Sequence, residues 1–114
     1  RDEQNTNLSS KTLKKALAYI DEHYTSENLS LGTVACEVQV GANYLSSVFS
    51  QNMQKTFTEY ISEKRMEKAK KLLKSTELPT SEIAAQVGYK DPHYFSFVFK
   101  KTQGCSPREY RSSI

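Results

Sequence analysis

Polar, uncharged side chains fall on one face of a short amphipathic segment near the middle of the chain. This face comprises Asn43, Ser46, Ser47, Ser50 and Gln51. The opposite, apolar face comprises Leu45, Val48, Phe49 and Met53. Amide and hydroxyl groups hydrogen-bond to base edges, and a face without carboxylates does not repel phosphates. The chemistry that this face favours is therefore contact with the major groove of a duplex.

No arrangement typical of an enzyme accompanies this face. The sequence has no glycine-rich phosphate loop, no nucleophile motif and no paired carboxylate beside a histidine. Cys36 and Cys105 lie far apart, as do His23 and His93, and neither pair has metal-ligand spacing. We expect no catalytic residue, no metal site and no cofactor.

The segment that carries the polar face occurs twice in the chain. Residues 29–60 reappear as residues 78–110, with an offset of 49 before a turn and 50 after it. Two copies of one helix-turn-helix tolerate such an insertion, because turns accept extra residues and packed helices do not. Cys36 matches Ala85 of the second copy, so we expect it to be a small buried residue.

Apolar periodicity predicts an all-α fold throughout. The expected organisation is a flexible tether (1–10), a first helix-turn-helix subdomain (11–55), a linker helix (56–75) and a second helix-turn-helix subdomain (76–114). A linker of about 20 residues would span roughly 30 Å, close to the ~34 Å of one DNA turn. Two such subdomains suit a repetitive target such as duplex DNA.

Cap residues predict where several helices begin. Ser30 suits the N-cap of the second helix, and Gly41 lies near the start of the third. Thr56 followed by Glu59 forms a possible capping box before the linker helix. Asp91 before Pro92 predicts the start of the sixth helix.

The net charge of +3 is modest, but its distribution is uneven. Basic residues concentrate in the linker helix, at Lys64, Arg65, Lys68, Lys70, Lys71 and Lys74. A second cluster comprises Lys100, Lys101, Arg108 and Arg111. Solvated helix faces would also account for these charges, so their position beside the repeated units is what makes phosphate contact plausible.

Several segments together resemble the signature of AraC/XylS-type transcription regulators. They are residues 88–96, 99–101 and 104–111 in the second copy, and residues 60–61 and 64–73 in the linker helix. The resemblance covers residues 11–112. It implies a two-lobed, seven-helix DNA-binding domain whose third and sixth helices enter adjacent major grooves.

The resemblance also implies which residues touch bases, and charge and position assign the phosphate contacts. Base contacts fall on Asn43, Ser46 and Ser47 in the first copy and on His93, Ser96 and Phe97 in the second. Phosphate contacts are assigned to Gln51, Lys90, Lys100 and Lys101.

Two of these positions have alternative interpretations. Phe97 departs from the family, which often has a basic or polar residue there; it would pack on a thymine methyl or contact a neighbouring domain. His93 has an alternative as a solvent-exposed residue of the first helical turn. Arg65 is expected to tie the linker helix to one lobe by a buried hydrogen bond.

In the family this domain usually lies C-terminal to a ligand-binding barrel or a receiver domain. The first helix and linker resemble those of response-regulator members of the family, which favours the receiver of a two-component response regulator. RNA polymerase is a further partner that the resemblance allows. No apolar run approaches the ~18 residues of a membrane span, so we expect a cytoplasmic protein. No heptad pattern or long edge supplies a dimer interface, so we expect a monomeric chain. The alternative function is a helical protein-interaction module that has lost DNA binding.

Overall fold

Seven α-helices and no strand form across residues 2–113, which a computed structural model describes, with side chains from Ser10 onward. In chain order they are α1 (Asp2–His23), α2 (Leu31–Glu37), α3 (Ala42–Met53), α4 (Phe57–Ser75), α5 (Thr80–Gln86), α6 (Pro92–Gln103) and α7 (Pro107–Ser112). The predicted all-α, seven-helix fold is therefore confirmed.

The first helix starts earlier than its apolar pattern indicates. α1 begins at Asp2, whereas periodicity predicted a helix from Lys11 after a tether. Residues 2–10 contain neither glycine nor proline, the residues least favourable inside a helix, and the helix runs through them without an apolar stripe. The predicted start was wrong. The role of residues 1–10 as a connection to another domain stays a prediction, and Arg1 and Ile114 lie outside the described residues.

The chain divides into two compact units, and α4 contributes to both. One unit comprises Arg1–His23 and Leu29–Ser62, the other Tyr24–Asn28 and Glu63–Ile114. Buried Ile61 belongs to the first unit, and buried Met66 and Ala69 belong to the second. α4 therefore contributes buried residues to both units.

In the first unit the core forms where α1, α2 and α3 pack on one another. Its buried apolar side chains include Ala16, Ile20, Val34, Ala35, Leu45, Val48 and Phe49. The Phe49 ring lies edge-on to Phe57 and Tyr60, with centroid distances of 5.8 Å and 5.2 Å. Edge-to-face contact sets the positive edge of one ring against the negative face of the other.

The second unit repeats this packing. Its core comprises Met66, Ala69, Leu73, Ile83, Ala84, Val87, Tyr89, Phe95, Val98 and Phe99. The ring of Phe99 lies edge-on to Tyr110 at 5.7 Å and 69°, as Phe49 lies to Tyr60 at 5.2 Å and 72°. The repeat in sequence is thus a repeat in packing.

The turns and caps are repeated as well. Left-handed backbone occurs at Gln39 and Gly88, with φ of 63° and 107°, at matching places before α3 and α6. α3 and α6 both end on a left-handed residue, Gln54 and Gly104.

Capping boxes precede α4 and α7. The predicted box of Thr56 and Glu59 is confirmed: each backbone N–H donates to the other residue's side chain, at 2.9 and 3.1 Å. Ser106 and Glu109 form the matching box before α7. Hydrogen bonds from the backbone and the side chain of Ser106 lower the pKa of the Glu109 carboxyl.

Arg65 is buried and acts within the second unit, as predicted. Its Nε donates to the Tyr24 carbonyl at 2.7 Å, and its Nη2 donates to the Ser26 carbonyl at 2.8 Å. The guanidinium carbon lies 5.0 Å from the centroid of the Tyr89 ring. These contacts place residues 24–28 in the second unit, although they follow α1 in the chain.

Cys36 is exposed, so the prediction of a buried residue was wrong. Its match to Ala85 is real, but Ala85 is exposed too. In α2 the buried stripe passes through Val34 and Ala35, and the next residue turns away from the core by about 100°. The matching positions Cys36 and Ala85 therefore share an environment, as the repeat predicts. Their small side chains suggested burial, but both residues are exposed.

We expect glycine-to-alanine replacements to separate the free-energy cost of a left-handed backbone from the cost of a steric clash. Gly104→Ala should cost about 1 kcal/mol, because φ of 85° is unfavourable for a side chain although the space is open. Gly88→Ala should cost more, because its Cβ would lie 2.9 Å from Arg65 Nε in addition to a φ of 107°. Urea unfolding of both variants measures the difference.

Gly32→Ala is the matched control. Gly32 lies inside α2 with ordinary space around it, so alanine there should stabilise by up to about 1 kcal/mol. A Gly88→Ala variant no less stable than Gly104→Ala would contradict the assigned role of the Arg65 contact.

Candidate nucleic-acid interface

The orientation of α3 follows from three buried residues. Leu45, Val48 and Phe49 face the core of the first unit, which turns the opposite side of the helix to solvent. Gly41 is the N-cap, as predicted, and Gln54 ends the helix by a hydrogen bond from its N–H to the Ser50 carbonyl at 3.0 Å.

The structure brings the predicted α3 contacts together on this outward side. Asn43 and Ser47 are exposed, and Ser46 is half-buried. They lie three and four residues apart, so they share one helical face, and Gln51 continues it one turn later. The 12 residues of α3 include no acidic and no basic side chain, so this face is polar and neutral.

α6 has the same pattern of buried residues as α3, and residues that favour helix ends cap it at both termini. The carboxylate of Asp91 accepts a hydrogen bond from the His93 N–H at 2.9 Å, and Pro92 is in the first turn. Gly104 ends the helix in the left-handed conformation. Phe95, Val98 and Phe99 are buried at positions that match Leu45, Val48 and Phe49.

The outward side of α6 differs in chemistry from that of α3. His93 and Phe97 are exposed and Ser96 is half-buried, so the predicted second set also shares one face. Lys100 and Lys101 are exposed in the last turn, where they also favour the negative end of the helix dipole. Lys90 is exposed in the turn before the helix.

Sequence reasoning missed the exposure of Tyr94. Its side chain is 54% exposed, and its ring centroid lies 6.3 Å from that of Phe97. The signal was available, since Tyr94 precedes Phe97 by three residues and Lys101 by seven, which places all three on one helical stripe. The matching Tyr44 of α3 is 41% exposed.

The basic residues of α4 do not form one uniform surface. Arg65 is buried, and Lys70 pairs with Glu67 at 3.3 Å. Lys74 donates to the Ser113 carbonyl, and its Nζ lies 5.0 Å from the Tyr110 ring centroid. Part of the charge in this helix therefore acts within the second unit.

The described residues hold neither a membrane-spanning helix nor a metal-ligand cluster. No helix there has the length and apolar character that crossing a membrane requires. Within the same range, no three histidine, cysteine, aspartate or glutamate side chains cluster as metal ligands would.

Known proteins share both the sequence pattern and this arrangement. A family model described as a helix-turn-helix domain matches residues 34–113. The arabinose operon regulatory protein of Escherichia coli K12 is 34% identical over 100 residues, which are 88% of this chain and 34% of that protein. The chain belongs to the AraC-type helix-turn-helix family of transcription regulators. It spans about a third of the length of the arabinose regulators that it matches.

Solved structures of AraC-type domains have the same fold. The C-terminal domain of AraT, a response regulator from Geobacillus stearothermophilus, is 44% identical with a TM-score of 0.86, covering 88% of this chain and 83% of that one. The DNA-binding domain of the global transcriptional factor AdpA, solved with a target DNA, is 21% identical with a TM-score of 0.82. The match covers 88% of this chain and 89% of that one. At that identity the likeness to AdpA concerns the fold.

Proposed function

We propose that the chain is the DNA-binding output domain of a transcription regulator, with α3 and α6 lying in adjacent major-groove segments of a duplex. The observation that carries this proposal is the repeated outward face. Both helices bury the same three positions and present the same three, and neither contains an acidic side chain. A neutral or basic helix face with short polar groups suits close approach to base edges.

The base contacts of the first unit are assigned to Asn43, Ser46 and Ser47. An amide at Asn43 pairs bidentately with adenine, whereas serine hydroxyls accept or donate to any base. Asn43 therefore supplies the discrimination, and Ser46 and Ser47 allow close approach. In the second unit the corresponding contacts are assigned to His93, Ser96 and Phe97.

Phosphate contacts are assigned to Gln51, Lys90, Lys100 and Lys101. All four are exposed, and each lies next to one of the proposed base-contacting faces. Contacts of this kind position a protein on the duplex without reading sequence, and they make affinity depend on salt.

The proposed setting is a cytoplasmic response regulator in which this chain follows a receiver domain. Its similarity to the C-terminal domain of the response regulator AraT supports that setting. A sensor domain in place of the receiver is the alternative, and RNA polymerase is a proposed partner. The domain would act by binding and not by catalysis.

A helical protein-interaction module is the second candidate, because Tyr94 and Phe97 are exposed. Salt separates the two functions. Protein binding releases the counterions condensed on the phosphates of a duplex, so affinity for a duplex falls as the salt concentration rises. Contact with an apolar protein partner lacks this dependence.

We expect the chain to bind a duplex as a monomer through both units. An operator selected from a random duplex library provides the probe, and footprinting should show two protected patches about one helical turn apart. Size analysis of the complex should give one chain per duplex. Protection of one patch alone would leave α6 without its proposed role.

Replacing Lys100 and Lys101 together with alanine should weaken binding to every sequence alike. The slope of log affinity against log salt should flatten by roughly one to two units, if each lysine covers one phosphate. Titrations at several salt concentrations measure this slope.

Lys14→Ala with Lys15→Ala is the charge-matched control for that experiment. Both side chains are exposed on α1, so their removal lowers the net charge equally and should leave the slope near that of the parent chain. Equal slopes in both double variants would refute the phosphate contacts of Lys100 and Lys101.

Asn43→Ala should weaken binding by about 1–3 kcal/mol at one preferred adenine and relax the preference at that base pair. Competition with all four base pairs at the position measures the effect. Asn52→Ala is the control on the same helix, because its amide donates to the Val48 carbonyl at 2.7 Å. A uniform loss across the four base pairs would mean that Asn43 caps the helix or touches phosphate.

A further inference from the structure

An apolar group occupies a position on α6 where α3 has a hydroxyl. Phe97 is 61% exposed, and the matching residue in the first copy is Ser47. Tyr94 lies beside it, 54% exposed. A phenylalanine that remains in water gains nothing from the hydrophobic effect, which acts only when apolar surface is covered. A ligand that covers the Phe97 ring would therefore gain binding free energy from the hydrophobic effect.

Positive charge borders this ring. The Nζ atom of Lys101 lies 5.9 Å from the Phe97 centroid, where the negative ring face attracts it. Lys100 is exposed next to it, and α6 itself contains no carboxylate. Asp91, at the start of the helix, is hydrogen-bonded to the His93 N–H. A polyanion that also offers an apolar group matches this surface better than a neutral apolar partner.

Duplex DNA offers such a combination in its major groove. The C5 methyl of thymine is the apolar group that base edges present there, and phosphates border the groove on both sides. We infer that Phe97, supported by Tyr94, packs against the methyl of a thymine while Lys101 lies at a phosphate. The inference rests on the proposed function, and it specifies the chemistry read at one base pair.

Recognition of this kind differs from the hydrogen bonding assigned to Asn43. It depends on the methyl group alone, so uracil, which has the same hydrogen-bonding groups and lacks the methyl, should be a poor substitute. Loss of one buried methyl-sized contact corresponds to a roughly fourfold loss of affinity.

The test uses the 114-residue chain and its selected operator. Duplexes are prepared that each carry one deoxyuridine in place of a thymine in the patch assigned to α6. Affinity should fall roughly fourfold at one of these positions and stay unchanged at the others. Phe97→Ala should bind the thymine and uracil duplexes equally, having lost the contact that distinguishes them.

Two further variants make the comparison specific. Phe97→Ser introduces the residue of the first copy at an exposed site, so the core stays intact, and it should lose the discrimination as Phe97→Ala does. Ser47→Ala, at the matching position of α3, should retain it.

Three outcomes would overturn the inference. The protected patch assigned to α6 could contain no thymine, or no uracil substitution could lower the affinity. The third outcome is that Phe97→Ala still distinguishes thymine from uracil duplexes. In each case two protected patches would still stand as evidence for the proposed function, and the aromatic pair would be left for a protein partner. Protection of one patch alone would leave α6 without its proposed role and remove the inference, whereas no protection at all would remove the proposed function itself.

Discussion

The burial of Phe49 and Phe99 sets the rotation of α3 and α6 about their axes. Each ring is enclosed in its unit and meets a tyrosine edge-on, Tyr60 or Tyr110. Burying a phenylalanine contributes about 1.5–3 kcal/mol, so a helix rotated by one residue would lose much of its packing. Because residues three and four apart share a face, the same burial determines which side chains point outward.

Within α4, tertiary packing gives different tasks to residues that look alike in sequence. Arg65 joins the backbone of residues 24–26 to the helix through two hydrogen bonds, and its place is tight enough that Gly88 has no room for a Cβ. Lys74 meets the end of α7, where it lies over Tyr110. A basic run that indicates nucleic-acid contact by composition is thus partly structural.

The two copies keep one scaffold and vary its outward chemistry. α3 presents amides and hydroxyls without charge, whereas α6 presents an imidazole, an aromatic pair and two lysines. Buried positions resist change because a core is close-packed, while outward positions are limited only by what they contact. A scaffold repeated in this way suits a target whose two halves differ.

The sequence by itself determined the helical fold, the repeat, the caps at Ser30, Gly41 and Asp91, and which residues share an outward face. These follow from local chemistry: apolar periodicity, cap preference and turn residues act over a few positions. Tertiary structure decided the rest. It placed Cys36 in solvent and joined residues 24–28 to the second unit through the hydrogen bonds of Arg65. These features depend on contacts between residues distant in the chain, which a local pattern does not contain.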